Sequence, residues 1–105
     1  MLKAGYYSIE YINPQVDGTD NVTIAISGDQ IFFEDCNYNM GQYTLGPKKS
    51  FTPPSIWITT KTYCQDDIGK DIKHAFSTSK KVSVMKKKIK FKNENNEDQL
   101  ILASQ

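Results

Sequence analysis

Two short segments facing each other across one tight turn constrain this chain most. Val22-Thr23-Ile24-Ala25-Ile26 places Val22, Ile24 and Ile26 on one side of an extended backbone, the period-2 pattern of a half-buried strand. Ser27-Gly28-Asp29 then reads as a hairpin turn, because Gly and Asp tolerate the positive φ that such turns need. The chain returns through Gln30-Ile31-Phe32-Phe33-Glu34. A lone hairpin is marginal in water, so this one must share an apolar face with further strands or a helix.

The rest of the sequence supplies them. Tyr6 to Ile12 alternates, with Tyr7, Ile9 and Tyr11 on one side, and Asn13-Pro14 ends the segment. Residues 39–45 form a further candidate strand closed by Gly46-Pro47, and residues 55–59 another after Pro53-Pro54. One segment changes period: from Asp66 to Ser77, Ile68, Ile72, Ala75 and Phe76 follow the i, i+4, i+7, i+8 spacing of an amphipathic helix. Asp66 and Asp67 stand at its start, where carboxylates favour the positive end of the helix dipole, and Asp66 is a reasonable N-cap. Val82 and Val84, then Ile89 and Phe91, predict a second hairpin turning near residues 85–87, and a polar turn over 93–98 leads to a last strand over 99–103. No repeat, linker or second domain interrupts residues 1–105, so one domain is expected.

With 105 residues and 38% hydrophobic composition the chain can build one modest core. Its longest apolar runs, such as Leu100-Ile101-Leu102-Ala103, fall far short of the roughly 20 residues of a membrane-spanning helix. The start carries Lys3 but no apolar stretch of the kind a secretory leader needs, so the expectation is an intracellular, cytoplasmic protein. A secretory or periplasmic-type compartment follows instead if a leader has been removed. The formal net charge is +1, yet the charge is segregated. Residues 1–69 hold four Lys against eight carboxylates, residues 70–92 hold nine Lys against Asp71 alone, and the last thirteen residues hold three acids and no base. All thirteen basic residues are Lys.

The segment Cys36-Asn37-Tyr38-Asn39-Met40-Gly41-Gln42-Tyr43, answered by Thr60-Lys61-Thr62-Tyr63-Cys64, carries a resemblance. Read as Cys-Asn-x-x-x-Gly-x-Tyr followed by Thr-x-x-x-Cys, it resembles the META domain family, HslJ-like domains that include stress- and virulence-associated proteins of undefined activity. The resemblance spans nearly the whole chain and departs from the family at Gly5-Tyr6-Tyr7, where a Trp-containing opening is usual. It implies a mainly β (α+β) fold: an antiparallel, incompletely closed barrel or curled sheet of about seven or eight strands, covered by the helix over about 66–77. It also implies structural roles for Cys36, Asn37, Gly41, Tyr43, Thr60 and Cys64. Asn37 would bond nearby backbone in a bend, Gly41 would permit close approach, and Tyr43 would supply an apolar body with a polar tip. A Cys36–Cys64 disulfide would close a loop of about 29 residues, whereas in a reducing compartment both thiols would be small buried apolar groups.

The residues give no catalytic or metal constellation. His74 is the single histidine, with no nucleophile motif beside it, and two Cys with one His do not complete an ordinary zinc site. Glu34-Asp35 and Asp66-Asp67 are carboxylate pairs, but neighbours on a strand point to opposite faces, and the second pair is accounted for as helix-start residues. No cofactor is expected. The run Lys86 to Lys92 argues for a partner: Lys88, Lys90 and Lys92 share one strand face, with Lys80 and Lys81 beginning the neighbouring strand, as a basic partner-binding face or as protection of an exposed edge. Sequence-specific nucleic-acid reading is not expected without Arg, although acidic surfaces remain eligible partners. Trp57 is a candidate interface anchor if Ile56 and Ile58 face inward, and a core residue in the opposite register. The expected function is non-enzymatic protein binding, as an interaction module or as a small structural subunit of a larger assembly. The alternative is a carrier of an apolar ligand held among Tyr7, Tyr11, Phe33, Trp57 and Phe76.

Overall fold

A computed structural model describes residues 1–63 and 68–105. Cys64, Asp66 and Asp67 therefore lie outside the described residues, and with them the expected start of the helix. The strands are β1 (Gly5–Ile12), β2 (Thr23–Ser27), β3 (Gln30–Glu34), β4 (Tyr38–Gln42), β5 (Thr44–Leu45), β6 (Phe51–Thr52), β7 (Trp57–Thr59), β8 (Lys81–Val84), β9 (Lys88–Lys92) and β10 (Asp98–Ser104), and the helix α1 covers Ile68–Ser77. Eight of the strands form one antiparallel curled sheet in the order β7-β4-β3-β2-β1-β10-β9-β8, a half-barrel with β7 and β8 as its edges; β5 and β6 pair separately. The mainly β, incompletely closed architecture expected above is the one observed.

Alternation builds the sheet. In the β2–β3 hairpin, Ser27 pairs with Gln30, Gly28 takes φ 61° in the turn, and Ile24, Ile26, Ile31 and Phe33 enter the core together. The β1 alternation is interrupted. A bulge at Glu10 lets Ile9 and Ile12 both face inward opposite Leu102 and Leu100, while Tyr11 turns outward opposite Ile101. Tyr11 is accordingly exposed, against the expectation that it shares a face with Tyr7 and Ile9.

The segment expected as one strand over 39–45 is two. Buried Tyr43 ends β4, its N–H donating to the Asp29 carbonyl at 2.9 Å, and the chain then leaves the sheet through β5. The small β5–β6 ribbon and α1 stand at the open side of the half-barrel. Phe51 N–H donates to the Lys80 carbonyl at 2.8 Å and Ser50 bridges to Lys81, tying the ribbon to the β8 side. Lys73 of α1 donates to the Thr59 hydroxyl at 2.8 Å on the β7 side. The helical stripe is as the spacing predicts: Ile72, Ala75 and Phe76 are buried and Ile68 packs against the same core.

Aromatic rings fill the interior beneath the helix. Phe51 meets Phe91 edge-on at 5.1 Å, Phe91 meets Phe76 at 5.2 Å, and Trp57 lies 5.9 Å from Phe76 and 5.6 Å from Phe33. Trp57 therefore takes the inward register. The role of exposed anchor considered for it is corrected: Ile56 and Ile58 are the exposed residues, at 77% and 63%, because β7 turns its Trp face toward α1.

Candidate functional site

Two regions draw together the residues singled out by sequence, and a third was not foreseen. The first is the segment around Asn37, which is a polar seam. Asn37 Oδ1 accepts from Thr62 N–H at 2.7 Å and from the Thr60 hydroxyl at 2.9 Å, and its Nδ2 donates to the Thr62 carbonyl at 2.9 Å. Asn37 thus stitches its bend to residues 60–62, about two dozen positions later, rather than only to nearby backbone. Thr60 completes the stitch by accepting from Tyr38 N–H at 2.9 Å. Asp35 accepts from Asn37 N–H at 2.9 Å, from Asn39 Nδ2 at 3.1 Å and from Gly69 N–H at 3.0 Å, so one carboxylate joins the bend, the sheet and the first turn of α1. A Cβ at Gly69 would lie 2.5 Å from Asp35 Oδ2, which is why the helix start approaches so closely at a glycine. Buried Asn39 is fully engaged, its Oδ1 accepting from the Thr59 hydroxyl at 3.0 Å.

Gly41 and Tyr43 act as packing residues. A Cβ at Gly41 would meet the Pro54 ring at 2.7 Å and Trp57 at 2.9 Å. The Tyr43 hydroxyl donates to the Gly28 carbonyl and accepts from Leu2 N–H at 3.0 Å, and burial pushes its pKa above the ordinary tyrosine value. Burial likewise raises the pKa of Tyr7, whose hydroxyl donates to the Lys3 carbonyl. Cys36 is exposed and has no free thiol; its expected partner Cys64 is outside the described residues. His74 is exposed on α1, and among the described residues no group of three or more His, Cys, Asp and Glu could hold a metal.

The second region is the lysine face. Lys81 pairs with Lys92 and Ser83 with Lys90 across β8 and β9, so Lys81, Lys90 and Lys92 share the outer face with Lys88, while Lys80 precedes the edge strand. Part of that charge is neutralised. Lys88 forms an ion pair with Glu10 at 2.9 Å, Lys92 lies 3.8 Å from Asp98, and Lys81 donates to the Asn96 side chain at 3.2 Å.

The third region is an apolar row on the outer face of the opposite half of the sheet. Register places Tyr6 beside Ala25, Ala25 beside Phe32, Phe32 beside Met40 and Met40 beside Ile58, so the row crosses β1, β2, β3, β4 and β7 without a charged residue. Tyr6 is 66% exposed. The Tyr38 ring leans on Phe32 at a centroid distance of 6.3 Å, and a hollow of about 570 Å³ opens among Tyr6, Ala25, Phe32 and Tyr38, with Thr23 and Glu34 also in its lining. A smaller hollow of about 200 Å³ lies between Met40, Ile56 and Ile58 at the β7 edge. The signal was present in the sequence as the second set of each alternation: Ala25, Phe32 and Met40 occupy positions where an exposed strand face ordinarily carries polar side chains.

Among the described residues, the rings expected to line an apolar-ligand hollow do not all converge. Phe33, Trp57 and Phe76 pack on one another, and Tyr11 stands outside. No helix among the described residues is long and apolar enough to cross a membrane. No protein family, curated protein or solved structure matches this chain.

Proposed function

We propose that this chain is a META-like domain that acts by binding a protein, as an interaction module or a small subunit of a larger assembly, and that it does so through the apolar row from Tyr6 to Ile58. The observation that carries this reading is the row itself. Monomeric proteins rarely leave contiguous apolar surface of this kind uncovered, and where it occurs a partner commonly covers it. Five adjacent strands at about 4.8 Å spacing make the row roughly 19 Å long. One face of a helix of about 13 residues has that length, and its apolar ridge would seat Ile- or Leu-sized side chains in the two hollows. The proposal includes a Cys36–Cys64 bridge that fixes the polar seam beside β4 and β7. A second reading uses the lysine face, favoured by Lys90 and Lys80, which form no ion pair among the described residues.

Affinity purification from the protein's own cells tests both. The row reading expects a specific protein to be captured by the native chain and lost with Ile58→Glu or Tyr6→Glu, both at exposed positions. Loss only when Lys88, Lys90 and Lys92 become Glu transfers the contact to the lysine face. Capture that survives both sets, or no specific capture at all, overturns the proposal.

A further inference from the structure

The tip of the β8–β9 hairpin combines exposed apolar side chains with unpaired positive charge. Val84 and Met85 are each 48% exposed there. Met85 N–H donates to the Lys88 carbonyl and Ser104 N–H to the Lys87 carbonyl, both at 2.8 Å, so the tip is held against β10 rather than trailing free. Lys3, Lys86 and Lys87 line the same small hollow as Val84 and Met85. Among the described residues none of these three lysines lies within ion-pair distance of a carboxylate, in contrast to Lys88 and Lys92. Folding thus brings Lys3 across more than eighty positions to the strongest basic run of the chain, beside its exposed Met.

We propose that this tip docks reversibly on the surface of an anionic lipid bilayer, with Val84 and Met85 entering the headgroup boundary and Lys3, Lys86 and Lys87 contacting the acidic headgroups. An apolar wedge ringed by flexible cations suits that boundary: the lysine stems lie along the apolar surface and their ammonium groups reach the lipid phosphates and carboxylates. A nucleic-acid backbone would use the lysines but not the wedge, and a single strand would look for an exposed ring to stack on, whereas Tyr7, the ring among the residues lining the hollow, is buried. In the sheet order β10 separates this hairpin from β1 and the apolar row, so the inference goes beyond the protein-binding reading and is tested on different residues.

Flotation of the full chain with vesicles decides the matter. Vesicles of phosphatidylcholine alone should leave the protein free, and vesicles containing about one-third phosphatidylserine should carry it at ~0.1 M salt, with release as salt approaches ~1 M. Each lysine is worth about a factor of five near such a surface, so Lys86→Gln with Lys87→Gln should lower partition roughly 25-fold. Met85→Ser, which leaves the charge unchanged, should lower it several-fold. Unchanged unfolding curves for these variants would show that the fold survives. No preference for phosphatidylserine, or full binding by Met85→Ser, overturns the proposal. Lysine-dependent retention of duplex DNA without vesicle binding overturns it in favour of a phosphate backbone.

Discussion

Asp35 is the residue on which three parts of the molecule converge. Its carboxylate accepts from the Asn37 and Gly69 backbone and from the Asn39 side chain, and hydrogen bonds to a charged acceptor are the stronger kind. Asp35→Ala should therefore cost about 3 kcal/mol in urea unfolding, and Asp35→Asn less, since it keeps one acceptor oxygen. A loss under about 1 kcal/mol would show that the seam is incidental. Trp57 and Ile58 give a paired prediction. Trp57→Ala removes a ring packed on Phe33 and Phe76 and should cost about 3 kcal/mol, whereas Ile58→Ser at an exposed site should change stability by about 0.5 kcal/mol or less. The reverse ordering would reinstate Trp57 as the exposed anchor. Neither role was legible locally. Glu34-Asp35 reads as a pair of adjacent acids because Gly69, which explains Asp35, is 34 positions away, and two registers of residues 56–58 satisfy alternation equally until α1 supplies an apolar surface on one side.

At the scale of elements, strands of three or more residues were readable, and the two-residue ones were not. The β2–β3 and β8–β9 hairpins sit where the pattern places them, and the stripe Ile68, Ile72, Ala75, Phe76 fixes the buried side of α1. The two-residue strands β5 and β6 carry no period, and the bulge at Glu10 inverts the face of Tyr11 with no change in composition to announce it. The seam between residues 35–39 and 59–62 gives the cysteines their expected consequence. A Cys36–Cys64 bridge would close a loop of about 29 residues around β4 to β7, and reduction should lower stability by roughly 3–4 kcal/mol if chain entropy dominates. Intact mass before and after reduction with thiol alkylation reads the bond directly: uptake of alkylating reagent by the unreduced, unfolded chain would refute the pairing.

Across the whole molecule, the ends of the sheet differ in charge and in the chemistry of their buried groups. The turns holding Asp17, Asp20, Asp35, Glu94 and Glu97 lie where β1, β3 and β9 end, while Lys3, Lys86 and Lys87 gather where β1 and β9 begin. Tyr7 and Tyr43 anchor this second end, bonding to the Lys3 carbonyl and to Leu2 N–H respectively. Both have raised pKa values because burial disfavours the phenolate. The unfolded chain releases these protons near the ordinary tyrosine value of 10.0, whereas the folded chain holds them to higher pH. Above that value the folded state binds more protons than the unfolded state, so stability is full below pH ~10 and declines as pH rises toward the folded-state values. Urea unfolding followed from neutral to strongly alkaline pH should show the decline, and Tyr7→Phe should make it shallower while costing about 1 kcal/mol at neutral pH through loss of the bond to Lys3. A slope unaltered by Tyr7→Phe would mean that its phenol ionises as freely in the folded chain as in the unfolded one, and that this end of the half-barrel admits water to the base of the lysine tip.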